Sequence, residues 1–100
     1  MDNKVSVEKT VMSPTISMFY GVIIRMYWEQ GEPHHLPHIH AQYQDRKAVF
    51  EIPSGRILDG SLPRRQRNFV RAWISLHEDE LRANWELAVN NEQLFRIDPL

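Results

Sequence analysis

The chain has 100 residues, 42% of them hydrophobic and 25% charged, and its formal net charge is −1. These values fit one folded domain with a single core, and they exclude a disordered or collagen-like chain. No apolar run approaches the roughly 20 residues of a membrane helix, and from the polar, charged start we expect no signal peptide. The absence of cysteine excludes disulfides and thiolate metal sites. We therefore expect a cytoplasmic protein that does not enter the membrane, and the net charge argues against a general nucleic-acid binder.

The first half of the chain has the composition of β-strands. Residues 1–12 are polar and non-periodic, so we expect a flexible leader there and a single domain over residues 13–100. Runs rich in β-branched and aromatic residues then follow, separated by glycine, proline and polar turn residues. The pattern predicts strands over residues 15–20, 22–28, 38–43, 47–52 and 56–58.

From Pro63 onwards the hydrophobic period changes to that of a helix. Apolar residues recur at spacings of three to five, which is typical of an amphipathic stripe. The five-residue step from Leu76 to Leu81 indicates a break, so we predict two helices over 63–75 and 76–90. Ser61 is the expected N-cap of the first helix, and a capping box from Ser75 to Glu78 is expected to start the second.

The order of these elements predicts the fold class. Neighbouring strands are joined by short connections, which favour antiparallel hairpins over parallel crossovers. We therefore expect an α+β fold, with an antiparallel sheet of four to five strands followed by two C-terminal helices packed on one face.

Several motifs occur in an order that resembles a known family. They are Pro-Thr-Ile-Ser at 14–17, Ile-Arg-Met-Tyr at 24–27, Pro-His-Ile-His-Ala at 37–41, Leu-Pro at 62–63, Asn-Trp-Glu-Leu-Ala at 84–88 and Ile-Asp-Pro-Leu at 97–100. Together they resemble the small bacterial domain-of-unknown-function family numbered 4160, over about residues 13–100.

The resemblance implies a short, stand-alone protein with a protein partner. Members of the family are often encoded beside another small protein, an arrangement that suggests a toxin–antitoxin pair. Only His38 and His40 match the His-x-His motif of the family, because His34 and His35 are additional. Leu36 stands where most members have a proline, and Asn91 stands where a glycine is common.

The histidines are the first candidate site. Side chains two residues apart on a strand point to the same face, so His38 and His40 present two imidazoles side by side. Such a pair is a ligand set for a divalent transition metal, with Glu51 as the preferred third ligand and Glu32 or His77 as others. The alternative is that both histidines are structural and hydrogen-bond to nearby groups.

The same histidines could work without a metal. One imidazole can act as general base and the other as general acid, a pairing that suits cleavage of RNA or another phosphodiester. Arg25 and Lys47 are candidates to hold the phosphate, with Arg46 and Arg64 as further ones.

A run of arginines is the second candidate site. Arg64, Arg65 and Arg67 lie at the start of the first predicted helix, where positive charge opposes the macrodipole by about 0.3–1 kcal/mol per residue. They could contact phosphates or an acidic partner protein. The alternative is a solvated basic face, or pairing with nearby carboxylates.

These observations leave three predictions of function. The resemblance favours an interaction component of a two-gene, toxin–antitoxin-like module, whose partner is the small protein encoded by the neighbouring gene. The histidines favour a phosphodiesterase or ribonuclease acting on RNA, or a small metal-binding protein.

Overall fold

The computed structural model describes residues 14–28 and 36–100, and the leader predicted over residues 1–12 lies outside that part of the chain. The fold is α+β, as predicted, with five strands and then two helices. The elements are β1 (Thr15–Phe19), β2 (Val22–Arg25), β3 (His38–Tyr43), β4 (Arg46–Glu51), β5 (Ile57–Gly60), α1 (Arg64–Leu76) and α2 (Glu78–Val89). None of the described helices has the length and apolar character needed to span a membrane.

The five strands form one antiparallel sheet in chain order, β1-β2-β3-β4-β5. The connection from β1 to β2 consists of Tyr20 and Gly21 alone, and both have positive φ angles of 49° and 81°. Such angles give the tight turn whose twist matches that of the two flanking strands. The hairpin therefore closes with Phe19 directly opposite Val22.

One face of the sheet packs against the two helices and forms the core. Alternate positions of the central strands point to this face, because successive side chains of a strand point to opposite faces. Ile24, Ala41 and Phe50 are almost completely buried there. The helices contribute the buried side chains of their apolar stripes: Val70, Trp73, Ile74, Leu81 and Trp85.

The predicted break between the helices is confirmed, but both predicted caps are wrong. The residue that precedes α1 is Pro63, and the Ser61 hydroxyl instead accepts a hydrogen bond from Arg46 Nη2 at 3.0 Å. The helix α2 begins at Glu78, so Glu78 cannot be the N3 residue of a capping box. His77 occupies the N-cap, and its imidazole donates to the Glu80 carboxylate three residues later.

The C-terminal residues 90–100 return across the helices to the edge of the sheet. Asn91 has a positive φ angle of 58°, the left-handed conformation that commonly ends a helix. The side-chain amide of Asn84 hydrogen-bonds to both backbone groups of Phe95. Its Nδ2 donates to the Phe95 carbonyl at 2.8 Å, and its Oδ1 accepts from the Phe95 N–H at 3.1 Å. Ile97 then donates its N–H to the carbonyl of Ile16 in β1 at 2.8 Å, so this tail covers the outer edge of β1.

Candidate functional site

The His-x-His pair lies at the start of β3. The ring centroids of His38 and His40 are 5.1 Å apart. His38 is fully buried, and its Nδ1 donates to the carbonyl of Leu36 at 2.7 Å. The indole of Trp85 packs against the His38 ring with a centroid distance of 5.0 Å. The two imidazoles therefore lie together as the sequence predicts, but His38 has no access to solvent.

His40 has a different environment, on the face of the sheet opposite the core. The ring of Tyr27 stacks on the ring of His40 at 4.0 Å and is tilted by only 8°. A hydrogen bond of 3.2 Å joins the Tyr27 hydroxyl to His40 Nδ1. The stack fixes the imidazole plane, and both residues line a cavity.

The cavity has a volume of about 470 Å³ and lies over strands β2 to β5. The strand register explains its shape. Arg25, His40, Val49 and Asp59 are successive cross-strand neighbours, so their side chains form one row on this face. Val49 is the one apolar side chain of this row, and it lines the cavity between polar neighbours.

Two cationic side chains border this cavity. Arg25 donates from Nη1 to Gln42 Oε1 at 3.2 Å, which positions the guanidinium. Lys47 is exposed and lies directly opposite Gln42 in the β3–β4 register, two residues before Val49 on β4. The structure therefore brings together three of the residues predicted for phosphate chemistry, namely Arg25, His40 and Lys47. It does not bring His38 into the same open space.

Glu51 is the predicted third metal ligand. It lies opposite His38 in the β3–β4 register, but its carboxylate accepts hydrogen bonds from Ser54 Oγ at 2.7 Å and Arg56 Nε at 3.1 Å. The Ser54 hydroxyl, followed by the Arg56 guanidinium, lowers the pKa of Glu51. Across residues 14–28 and 36–100, no three His, Asp or Glu side chains form a group that could hold a metal ion. The metal site remains a prediction, and Glu32 lies outside the described residues.

The arginines at the start of α1 differ in their surroundings. Arg64 and Arg65 are exposed, whereas Arg67 is partly buried. Arg71, one turn further on, donates from Nε to the carbonyl of Gly55 at 2.9 Å and so ties α1 to the β4–β5 connection. The residues closest to the helix start are therefore the ones that face solvent.

Arg65 belongs to an aromatic and basic surface that the sequence did not reveal. Its guanidinium carbon lies 5.5 Å from the centroid of the Phe69 ring, one helical turn away. Tyr20 is 62% exposed, and its ring packs on the same phenyl ring at a centroid distance of 4.8 Å. We call this surface, made of Tyr20, Arg65 and Phe69, the aromatic–arginine patch.

The sequence analysis did not identify the two aromatic residues of this patch, Tyr20 and Phe69. It also did not identify Tyr27 as a residue that lines the cavity. The available signal for Tyr20 was its position directly before Gly21, where a short hairpin turn favours asparagine or glycine over a bulky residue. The signal for Tyr27 was its alternation with Arg25 in the sequence, although β2 itself ends at Arg25. Neither signal identifies a site until the strand register and the position of α1 are known.

Comparison with protein families identifies the family to which the chain belongs. The family model described as Domain of unknown function (DUF4160) matches residues 21–86, which includes both candidate surfaces except for Tyr20. No curated protein and no solved structure shows significant similarity to the chain.

Proposed function

Because this chain belongs to the DUF4160 family, we propose that it is the interaction component of a two-gene, toxin–antitoxin-like module. Its partner in this proposal is the small protein encoded by the neighbouring gene. The partner binds at the aromatic–arginine patch, next to the exposed start of α1. The proposal combines the resemblance of the motifs with the geometry of this surface.

The proposal rests mainly on one observation: Tyr20 and Arg65, each of which destabilises its own turn or helix, both pack on the ring of Phe69. Tyr20 has a φ angle of 49°, a conformation that costs a bulky residue about 1–2 kcal/mol. Arg65 lies in the first turn of α1, which has no acidic residue, and so opposes the helix macrodipole. Both residues pack on Phe69. Residues that weaken their own elements and converge on one exposed surface are typical of a functional site.

The chemistry of the patch favours a protein partner with acidic groups. Tyrosine and arginine are enriched among the residues that dominate protein–protein binding energy. Arg64 and Arg65 give the patch a positive rim, which complements carboxylates. RNA is favoured less, because the Phe69 ring is already packed by Tyr20 and Arg65 and offers less open surface for a base.

The edges of the sheet are less suited to a partner strand. The tail covers the edge of β1 through the hydrogen bond from Ile97 to Ile16. The other edge is β5, where the register shifts near Phe50 and an exposed Asp59 lies on the strand. Bulges and charges of this kind protect an edge strand from pairing.

Co-expression with the neighbouring gene product tests the proposed interaction. We expect the two wild-type proteins to co-elute on gel filtration, and we expect Arg65→Glu to abolish co-elution. The matched control is Arg96→Glu, the same charge reversal at an exposed arginine outside the patch. Separate elution of the wild-type proteins refutes the interaction, and co-elution of Arg65→Glu refutes the assigned surface.

Growth after induction tests the toxin–antitoxin relation itself. The protein is induced alone, its neighbour is induced alone, and then both are induced together. The proposal requires that one of the two proteins arrests growth alone and that co-expression relieves the arrest. Normal growth in every arm contradicts a toxin–antitoxin role and leaves the binding assay to decide whether the pair interacts.

Cleavage of a phosphodiester by a His38–His40 pair has less support. His38 is buried under Trp85 and donates to a backbone carbonyl, so it has no path to a substrate in the cavity. The enzyme hypothesis would have to rest on His40 alone, with Arg25 and Lys47. If His38→Ala and His40→Ala lost a nuclease activity to the same extent while both remained folded, the paired mechanism would regain support.

A further inference from the structure

We propose that the cavity over β2 to β5 binds the phosphoryl group of a nucleotide, whether free or at the end of an RNA strand. The proposal concerns a surface other than the aromatic–arginine patch and does not rest on the proposed partner. It requires binding only, and it involves no chemical step.

The shape of the cavity follows from the register of the sheet. Val49 lies in the middle of the cross-strand row, flanked by His40 on β3 and Asp59 on β5. Gly60, which also lines the cavity, adds no side chain at its outer end. The resulting volume of about 470 Å³ is within the range of small-ligand pockets, roughly 300–1,000 Å³. A free phosphate ion would fill only part of that space, whereas a mononucleotide is of suitable size.

The charges place the phosphoryl group between β2 and β4. Arg25 and Lys47 stand on either side of Gln42, which is a cross-strand neighbour of Lys47. The hydrogen bond from Arg25 to Gln42 uses one of the five guanidinium N–H donors and fixes the orientation of the group. A guanidinium held in this way can bind two phosphate oxygens, and the Lys47 ammonium supplies a second positive charge.

The remaining walls suit the rest of a nucleotide. Tyr27 and His40 form a rigid stacked pair, which gives a flat wall beside Arg25. Asp59 stands three strands away from Arg25 in the same row, roughly 14 Å at the usual strand spacing of about 4.8 Å. The carboxylate therefore lies apart from the Arg25 guanidinium, and its oxygens can accept hydrogen bonds from ribose hydroxyls.

Titration of the ¹⁵N-labelled full-length chain, followed by two-dimensional NMR, tests the proposal. The probes are adenosine 5′-monophosphate, adenosine, inorganic phosphate, and a short oligoribonucleotide with and without a terminal phosphate. We expect adenosine 5′-monophosphate to shift the amides of His40, Gln42 and Val49, and we expect adenosine to bind at least about tenfold more weakly.

Three variants separate the cavity from general surface charge. Lys47→Gln should weaken binding of adenosine 5′-monophosphate by about tenfold, and Val49→Phe should abolish it by filling the depression. Arg46→Gln is the matched control, because Arg46 precedes Lys47 on β4 but points to the opposite face. It should change the affinity by less than about twofold.

The probes also identify the source of the phosphoryl group. Tighter binding of the phosphorylated oligonucleotide than of the mononucleotide supports an RNA end, and the reverse order supports a free nucleotide. Equal affinity for adenosine and adenosine 5′-monophosphate overturns the proposal, as does an equal loss of affinity in Lys47→Gln and Arg46→Gln. The absence of shifts with every phosphorylated probe at millimolar concentration overturns it as well.

Discussion

His38 and His40 have the same chemistry and occupy alternate positions on one strand, yet their surroundings differ. Trp85 of α2 covers His38, and Tyr27, two residues beyond the end of β2, stacks on His40. The difference arises at the end of the sheet, because α2 packs where β3 begins. A core histidine and one that lines an open cavity therefore stand only two positions apart on the same strand.

Ser17 gives a residue-scale test of the packing. It is 1% exposed, and its hydroxyl oxygen has no hydrogen-bond partner among the described residues. Because a buried, unsatisfied hydroxyl costs free energy, Ser17→Ala should leave the free energy of unfolding unchanged or raise it by up to about 1 kcal/mol. Urea denaturation measures this. A loss of more than about 1 kcal/mol would mean that the hydroxyl has a partner in the folded protein.

Glu51 gives a residue-scale test of pH dependence. The hydrogen bond from Ser54, and then that from Arg56, lowers the pKa of Glu51 in the folded protein. The ionised carboxylate therefore contributes stability above the unfolded pKa of about 4.3, and this contribution is lost as the pH falls through the lower folded pKa. In a ¹³C NMR titration, Ser54→Ala should raise the midpoint of Glu51. A wild-type midpoint at or above that of unfolded glutamate would contradict the assigned contacts.

At the scale of elements, the end of β5 depends on a glycine. Gly60 has a φ angle of +74°, and an added Cβ would lie 2.2 Å from the carbonyl oxygen of Lys47. Gly21 is the matched control, because its φ is also positive but its added Cβ would meet only the Tyr43 ring at 3.2 Å. Gly60→Ala should lower the free energy of unfolding by about 2 kcal/mol more than Gly21→Ala. If thermal or urea unfolding gave equal losses of free energy for the two variants, the close contact between residue 60 and the Lys47 carbonyl would not determine the cost of the substitution.

The C-terminal tail is the element that joins α2 to β1. Asn84 is fully buried, and both of its amide atoms are satisfied by the backbone of Phe95. Asn84→Ala truncates a fully buried side chain and leaves the N–H and the carbonyl of Phe95 without these partners, so it should cost about 2–4 kcal/mol. It should also speed hydrogen exchange at Phe95 and Ile97 before the rest of the sheet is affected. Unchanged exchange at both amides would contradict the role of Asn84 as the attachment point.

The elements themselves were largely predictable, because periodicity is a local property of the sequence. Strand alternation and the helical stripe gave the five strands and the two helices to within a few residues. Residues 26–28 are an exception: they continue the alternating pattern, but β2 ends at Arg25. The caps were not predictable: Ser61 and Ser75 have suitable spacing, yet each N-cap lies two residues further along, at Pro63 and His77.

The candidate surfaces were predictable only in part, because they depend on contacts distant in sequence. Arg25, His40 and Lys47 were identified by residue type, but their convergence required the register of three strands. The burial of His38 depends on Trp85, which lies 47 positions further along the chain. The contact between Tyr20 and Phe69 likewise joins a hairpin turn to a helix that no local pattern relates to it.

At the scale of the whole molecule, two candidate surfaces occupy different parts of the fold. The aromatic–arginine patch joins the β1–β2 turn to α1, and the cavity lies on the face of the sheet opposite the core. No residue is shared by the two surfaces. Occupation of one therefore need not block the other, and substitutions in one should leave ligand binding at the other intact.

The central claim is that the aromatic–arginine patch is retained for binding at the expense of local stability. Tyr20→Asn tests it most directly, because asparagine suits the positive φ angle and forms an Asn-Gly turn with Gly21. We predict that this variant unfolds at the same temperature as the wild type or higher, and that it fails to form the complex with the neighbouring gene product on gel filtration. A variant of unchanged stability that still forms the complex as wild type does would contradict the account.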